Sequence, residues 1–171
     1  LWYWDGDTPR SNPPAPLLLE LDQQIPGLPW DLLPMKLYRA HNWHCLDNLD
    51  RQPYAAIYTT LGCPYHCSFC CIQAPFKSGE NILGYKQEVN SYRFWSPESV
   101  INQIDRLVND YGVRNIKIAD EMFVLNNRHV EGICDLIIER NYNLNIWAYA
   151  RIDTVRPETL DKMKQAGINW L

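Results

Sequence analysis

The sequence predicts an α/β fold from residue 53 onward, in which parallel strands alternate with helices. Two observations support this fold class. Short β-branched or apolar runs alternate with segments whose apolar residues recur at helical spacing, and the later units repeat at about the length of one strand plus one helix. Polar or metal-binding residues also follow the first three predicted strands, as expected where the carboxyl ends of parallel strands meet.

The first strand is predicted at Tyr54 to Leu61, and a cluster of cysteines follows it. Cys63, Cys67 and Cys70 have CxxxCxxC spacing in a loop at the carboxyl end of this strand. Three thiolates on one short loop can hold three corners of an iron–sulfur cube and leave the fourth iron open. A cluster that only carries electrons is normally held by four cysteines. An open iron is instead a place where a ligand can bind and react.

The next unit is a helix followed by a strand at residues 114–119. Ser96 is a favourable N-cap, Pro97 suits the first helical position, and Gly112 ends the helix. The apolar residues that recur between the cap and the glycine are Val100, Ile101, Ile104, Leu107, Val108 and Tyr111.

Two further units complete the chain. A one-sided helix is predicted over residues 130–138, a third strand at 144–150, and a third helix from Pro157 to the stop at Gly167. A fourth strand begins at Ile168. The second and third strands end at Asp120-Glu121 and at Arg151-Ile152-Asp153, so we expect both groups to face the cysteine loop.

Residues 1–52 are predicted to form an irregular strap, separate from the core at residues 53–171. Seven of the twelve prolines lie between Pro9 and Pro34, a density that prevents long helices. The same segment is rich in leucine and tryptophan, which a solvated linker would lack. We therefore expect it to pack on the following domain or to join that domain to another.

The bulk composition narrows the functional classes. The net charge of −4 argues against broad binding to nucleic acid or to an anionic membrane, and no apolar stretch is long enough to span a bilayer. Four of the six cysteines lie between Cys63 and Cys71, which is unlike a disulfide framework and favours free thiols in a reducing cytoplasm. The sequence begins with Leu1 and lacks an initiator methionine, as expected for a fragment of a longer chain.

The loop from Cys63 to Cys70, with the sequence CPYHCSFC, resembles the cluster loop of the radical S-adenosylmethionine (radical SAM) superfamily. The resemblance extends from about Leu17 to the C-terminus. It implies a partial (β/α) barrel, truncated here to about three strand–helix units and the start of a fourth strand. It also implies a [4Fe-4S] cluster held by the three cysteines, with S-adenosylmethionine bound at the open iron.

The activity implied by this resemblance is reductive cleavage of S-adenosylmethionine. The products are methionine and a 5′-deoxyadenosyl radical, which abstracts hydrogen from a small-molecule substrate. A reducing partner such as flavodoxin or ferredoxin supplies the electron. The protein supplies ligation, positioning and the exclusion of water.

The resemblance also assigns further cofactor-binding residues. Phe69 matches an aromatic position near the adenine. Asp120 and Glu121 stand where many members carry a Gly-Gly-Glu-like turn that contacts the amino group of the methionine part, although both glycines are missing here. Arg151 is placed to pair with the carboxylate of methionine or of the substrate.

A segment of the strap resembles the stretch that precedes the core in the cobalamin-binding branch of the superfamily. The matching residues run from Leu21 to Pro26 and from Trp30 to Leu33, and include Tyr38. In that branch a cobalamin-binding domain lies upstream. The resemblance therefore implies cobalamin through a domain that is absent from these 171 residues.

Several alternatives stay open on the sequence alone. The cysteines, with His66, could hold zinc in a binding domain, or they could belong to an electron carrier. Asp120 and Glu121 could form a solvated acidic turn, and Arg151 could form a structural ion pair with Asp153. Phe69 could pack beneath its loop.

Overall fold

The structure is a computed structural model that describes residues 1–13, 16–45, 50–65, 67–70 and 92–171. The strands are β1 (Trp2–Asp5), β2 (Thr8–Ser11), β3 (Tyr54–Ile57), β4 (Thr60–Leu61), β5 (Arg93–Phe94), β6 (Asn115–Ile118), β7 (Asn145–Ala148) and β8 (Ile168–Trp170). The helices are α1 (Leu21–Gln24), α2 (Pro97–Tyr111), α3 (Asn127–Arg140) and α4 (Pro157–Gln165).

The centre of the domain is a four-stranded parallel sheet in the order β3-β6-β7-β8. Each strand is joined to the next by a segment that contains a helix, as parallel pairing requires. The predicted α/β class and the alternation of strands and helices are confirmed.

The prediction of one strand from Tyr54 to Leu61 is wrong. β3 ends at Ile57, and β4 turns away to pair antiparallel with β5. At the break, the backbone N–H of Thr59 donates to the carboxylate of Asp120 at 2.6 Å instead of continuing the ladder. A long-range side-chain contact therefore divides a segment that has uniform strand propensity.

The helix α2 begins and ends where the sequence predicts, whereas α3 extends beyond the predicted residues 130–138 at both ends. Ser96 caps α2, its Oγ accepting from the backbone N–H of Ser99 at 3.1 Å, and Gly112 ends the helix with φ of 66°. Asn126 caps α3, and Asn141 ends it in the left-handed region.

The two faces of the sheet differ in character. One face packs against the helices, and each large apolar side chain buried there contributes about 1.5–3 kcal/mol. The opposite face, called here the inner face, carries Ala56, Lys117 and Trp147, which are less buried. Fully buried residues of the core between sheet and helices include Ile57, Ile104, Leu107, Ile116, Ile118, Ile133, Ile146 and Met163.

The N-terminal segment was predicted to be irregular throughout, but its first residues form a β-hairpin. β1 pairs antiparallel with β2 around Gly6, whose φ is 62°. Aromatic residues at Trp2, Tyr3 and Trp4, followed by Asp-Gly, are a hairpin signal in the sequence. The remaining strap elements in the described part of the chain are α1 and three short 3-10 helices.

The strap packs on the core. This is the first of its two predicted roles, the other being to join the core to another domain. The Asp22 carboxylate accepts from the backbone N–H of Ser96 at 2.9 Å, and the Trp95 indole donates to the Ile25 carbonyl at 2.7 Å. Both contacts place the strap against the start of α2.

Side-chain amides link three strands at the amino edge of the sheet. Asn169 donates to Asn145 at 2.9 Å, and Asn145 donates to Asn115 at 3.1 Å. The strap covers this amide ladder, since Asn145 and Asn115 also donate to the carbonyls of His44 and Asp50, each at 2.7 Å.

Gly167→Ala is expected to lower the free energy of unfolding by about 3 kcal/mol. Gly167 has φ of 88°, and an added Cβ would lie 2.2 Å from the carbonyl oxygen of Leu144. Urea unfolding measures the change. Gly112→Ala is the matched control, because Gly112 has φ of 66° but its Cβ would meet only Pro53 at 4.0 Å. Equal losses in the two variants would contradict the steric explanation.

Candidate active site

Arg151, which follows β7, reaches the cysteine loop that follows β4. Its Nη1 donates to the Cys67 Sγ at 3.6 Å, and its guanidinium lies 4.4 Å from the centre of the Tyr65 ring. The carboxyl edge of the sheet therefore brings together residues that are 84 positions apart in the sequence.

Arg151 also forms the predicted ion pair. Its Nε and Nη2 donate to the two carboxylate oxygens of Asp153 at 2.6 and 2.9 Å. The paired guanidinium still contacts Cys67 through Nη1, so the ion pair and the contact with the cysteine loop occur together.

The cysteine loop presents three free thiols. Cys63 and Cys67 are partly buried and Cys70 is exposed, and the backbone N–H of Cys70 donates to the Cys67 carbonyl at 3.1 Å. Burial raises the pKa of the Cys63 thiol, the Tyr65 amide opposes this by donating to it, and the charges of Cys67, Cys70 and Glu121 raise the pKa further. A cationic group bound here would relieve this crowding of negative charge, so the donor set fits an iron–sulfur cluster.

The acidic turn after β6 lies beside the same loop. The Glu121 charge acts on Cys63, and its Oε2 is buried with no hydrogen-bond partner among the described residues. A buried carboxylate oxygen without a donor is costly unless a ligand supplies one. An ammonium group is such a donor.

Asp120 is placed differently from Glu121. It is fully buried, and its two oxygens accept from the backbone N–H and the hydroxyl of Thr59. Its carboxylate therefore anchors the acidic turn to the end of β3. Burial raises the pKa of Asp120 to about 6, against the opposing hydrogen bonds from Thr59.

His129 completes a buried chain that the sequence did not reveal. Because the Thr59 hydroxyl gives its proton to Asp120, the Nε2–H of His129 must be the donor to that hydroxyl, at 3.0 Å. His129 is 3% exposed, and burial lowers its pKa to about 4. No local signal in the sequence connects this histidine with Thr59.

Tyr92 is a second residue that the sequence did not indicate. Burial raises the pKa of its hydroxyl to about 12, and the charges of Asp120 and Cys63 add to this effect. Tyr92 therefore lies close to both the acidic turn and the cysteine loop.

Phe69 is 92% exposed. The alternative in which it packs beneath its loop is therefore wrong. Its ring is accessible to a ligand of the loop.

Within the described ranges, no three Cys, His, Asp or Glu side chains converge as the ligands of a single metal ion do. His66, considered above as a zinc ligand, and Cys71 lie outside the described residues. None of the described helices is long and apolar enough to cross a membrane.

The fold and the site define an α/β protein with a loop of three cysteines next to charged residues at the carboxyl edge of a parallel sheet. The sequence profile of the Radical SAM superfamily matches residues 57–171. The chain belongs to the radical SAM superfamily, which confirms the resemblance of the cysteine loop.

Relatives of this chain include enzymes that act in different reactions. It is 29% identical over 98% of its length to an uncharacterised methyltransferase of Pyrococcus horikoshii, of which it covers 32%. It is 27% identical over 82% of its length to the anaerobic magnesium-protoporphyrin IX monomethyl ester cyclase of Cereibacter sphaeroides, covering 19%. It is 27% identical over 65% of its length to the hopanoid C-2 methylase of Rhodopseudomonas palustris, covering 20%. The chain thus spans a third or less of the length of these relatives.

Proposed function

We propose that this chain is the cluster-binding part of a radical SAM enzyme, in which Cys63, Cys67 and Cys70 hold a [4Fe-4S] cluster. The observation that carries the proposal is the hydrogen bond from Arg151, which follows β7, to Cys67 of the cysteine loop. The charge of Glu121, which follows β6, also acts on Cys63 of that loop. Once bound, the cluster and S-adenosylmethionine supply one-electron cleavage to methionine and a 5′-deoxyadenosyl radical, which abstracts hydrogen from a substrate. A flavodoxin or ferredoxin in the cytoplasm is the expected electron donor.

The acidic turn has two roles in this proposal. Glu121 accepts hydrogen bonds from the ammonium of S-adenosylmethionine, which its unpartnered buried oxygen supports. Asp120 acts as a positioning residue, because both of its oxygens are bound to Thr59. Its anchored position fixes the turn that carries Glu121.

Arg151 and Phe69 complete the proposed cofactor site. Arg151 donates a hydrogen bond to Cys67 of the cysteine loop. Its guanidinium is also proposed to pair with a carboxylate of the bound cofactor or substrate. The exposed ring of Phe69 offers a flat apolar surface to the adenine.

The architecture proposed for the whole protein is longer than this chain. The sheet corresponds to about half of a (β/α) barrel, with residues 53–171 as core and residues 1–52 as strap. Two relatives are named as a methyltransferase and a methylase, which supports methyl transfer as the reaction class. Cobalamin bound by a separate domain is proposed to assist it, as the resemblance of the strap implies. The substrate is proposed to be a small molecule.

The proposal is tested by anaerobic reconstitution with iron and sulfide. We expect about four irons per chain, and 5′-deoxyadenosine formation when S-adenosylmethionine and dithionite are added. A colourless protein that holds one zinc would contradict the proposal. A cluster that undergoes reduction but yields no 5′-deoxyadenosine would favour an electron carrier.

The charge beside Cys67 is expected to tune the cluster. Arg151→Met removes a cation 3.6 Å from a cluster ligand, so the reduction potential should become more negative, on the order of tens of millivolts. Asp153→Asn removes the carboxylate that neutralises Arg151, and should raise the potential. Redox titration followed by electron paramagnetic resonance measures both shifts. Shifts of the same sign in the two variants would contradict this arrangement.

A further inference from the structure

Lys117 lies in the middle of the inner face of the sheet. It pairs in register with Ala56 on β3 and with Trp147 on β7. Ala56 is exposed, so the surface on one side of the lysine is open, whereas Trp147 forms a wall on the other side. Glu121 follows four residues later in the chain, beyond the end of β6.

Two aromatic rings fix the position of the Lys117 ammonium. Its Nζ donates to the Tyr149 hydroxyl at 3.1 Å, and lies 4.5 and 4.9 Å from the ring centres of Trp147 and Tyr149. The Trp147 ring is itself held by Trp43 and His44, whose ring centres lie 4.5 and 4.1 Å away. The ammonium is therefore preorganised by π-faces rather than by a counter-ion.

The positive charge of Lys117 is not balanced in the described part of the chain. No carboxylate oxygen there lies within 4.0 Å of its Nζ, whereas Lys162 on α4 pairs with Asp135 at 2.9 Å. An ammonium has three N–H donors, and Tyr149 accepts one of them. Lys117 therefore has both charge and hydrogen-bonding capacity for a further anionic partner.

The inner face is where a substrate has to lie if the proposed function holds. A radical formed at the carboxyl edge of the sheet abstracts hydrogen only from a group in contact with it. The opposite face is filled by the helices, and the strap covers the amino edge. A substrate held against the inner face would meet Lys117, Trp147 and Tyr149.

Resting on the proposed function, we propose that Lys117, Trp147 and Tyr149 form a substrate subsite for a carboxylate carried by a flat, apolar group. The ammonium and the Tyr149 hydroxyl bind the carboxylate, and the exposed parts of the two rings pack against the apolar group. One positive charge balances a carboxylate, whereas a phosphate dianion is normally met by more cations or by bidentate arginine.

Isothermal titration calorimetry on the cluster-loaded protein tests this subsite with three probes that share one ring system. The probes are 1-naphthoate, the neutral 1-naphthalenemethanol, and 1-naphthyl phosphate. We expect naphthoate to bind about tenfold more tightly than the alcohol and more tightly than the phosphate. Equal affinities for naphthoate and the alcohol in the wild-type protein would overturn the proposal without recourse to any variant. Tighter binding of the phosphate would overturn the assignment to a carboxylate.

The variants assign the preference to Lys117. Lys117→Met should remove the tenfold difference between naphthoate and the alcohol, and Lys117→Arg should keep most of it. Lys162→Met is the matched control, since that lysine lies on α4 and forms an ion pair with Asp135 of α3. A preference that survives in Lys117→Met would contradict the assignment.

The same samples separate this proposal from the proposed function. Uncoupled 5′-deoxyadenosine formation is measured in parallel on the wild-type protein. A wild-type protein that forms 5′-deoxyadenosine but shows no naphthoate preference overturns the subsite alone. A protein that forms no 5′-deoxyadenosine but prefers naphthoate to the alcohol overturns the proposed enzymatic function and leaves an anion-binding site.

Discussion

Replacing Cys67 with alanine is expected to eliminate the iron–sulfur cluster and to lower 5′-deoxyadenosine formation by more than about 100-fold. Even groups that only support a metal ligand cost about 10- to 100-fold when they are removed, and Cys67 is proposed to be a ligand itself. Iron and sulfide analysis, electron paramagnetic resonance of the reduced protein and chromatography of the nucleoside product measure the three consequences.

Cys45→Ala provides the matched control for this variant. Cys45 is also a free, partly buried cysteine, but its sulfur contacts Asn115 at 3.4 Å near the amino edge of the sheet, away from the cysteine loop. We expect this variant to keep its cluster and its activity. A Cys67→Ala protein with wild-type iron content, or a Cys45→Ala protein without a cluster, would require another ligand set.

Asp120→Asn is expected to raise the KM for S-adenosylmethionine about tenfold while leaving the iron content unchanged. An asparagine can still accept from the Thr59 amide, but its NH₂ group cannot accept from the Thr59 hydroxyl. The buried hydroxyl proton then lacks its acceptor, which costs about 1–3 kcal/mol of stability and loosens the turn that carries Glu121. Steady-state kinetics and urea unfolding measure the two effects.

Substitutions at Thr59 distinguish positioning from simple loss of stability. Thr59→Ser keeps the hydroxyl between Asp120 and His129 and should retain a KM near that of the wild-type protein. Thr59→Val removes the hydroxyl at nearly constant volume and should reproduce the Asp120→Asn effect on KM. If Thr59→Ser and Thr59→Val are equally stable and also have the same KM for S-adenosylmethionine, the hydroxyl does not position the acidic turn.

The pH dependence of stability provides an independent check on Asp120. Its pKa is raised from 3.8 to about 6 by burial, so the folded protein holds this proton more tightly than the unfolded chain does. The stabilisation from this group is full below about 3.8 and is lost as the pH rises through about 6. His129 opposes it, because its pKa is lowered to about 4 and its contribution is lost as the pH falls. The informative quantity is therefore the wild-type stability minus that of Asp120→Asn, which should decrease as the pH rises.

The sequence was sufficient for features that depend on neighbours along the chain. Ser96 and Gly112 bound α2 because caps act within one turn, and the spacing of Cys63, Cys67 and Cys70 is itself a local pattern. The parallel direction of the four strands also follows from the alternation of strands and helices, since parallel strands need a crossover between them.

Features that depend on distant partners could not be predicted. The break after Ile57 depends on the contact of Thr59 with a carboxylate 61 positions away, and the Thr59–His129 contact spans 70 positions. Nothing in the local sequence around Thr59 or Lys117 records which side chains face them. The different placements of Asp120 and Glu121 likewise depend on which of the two adjacent carboxylates turns toward β3.

The amide ladder at the amino edge fixes the register of β6 relative to β7. Asn115 and Asn145 are paired there, so Asp120 lies five residues above one and Arg151 six residues above the other. A slip of one residue in either strand would place an asparagine among the apolar helix contacts and break this pairing. The pairing of asparagines at the amino edge thus fixes the register of β6 and β7. It thereby sets where Asp120 and Arg151 lie at the carboxyl edge, although it contacts neither residue.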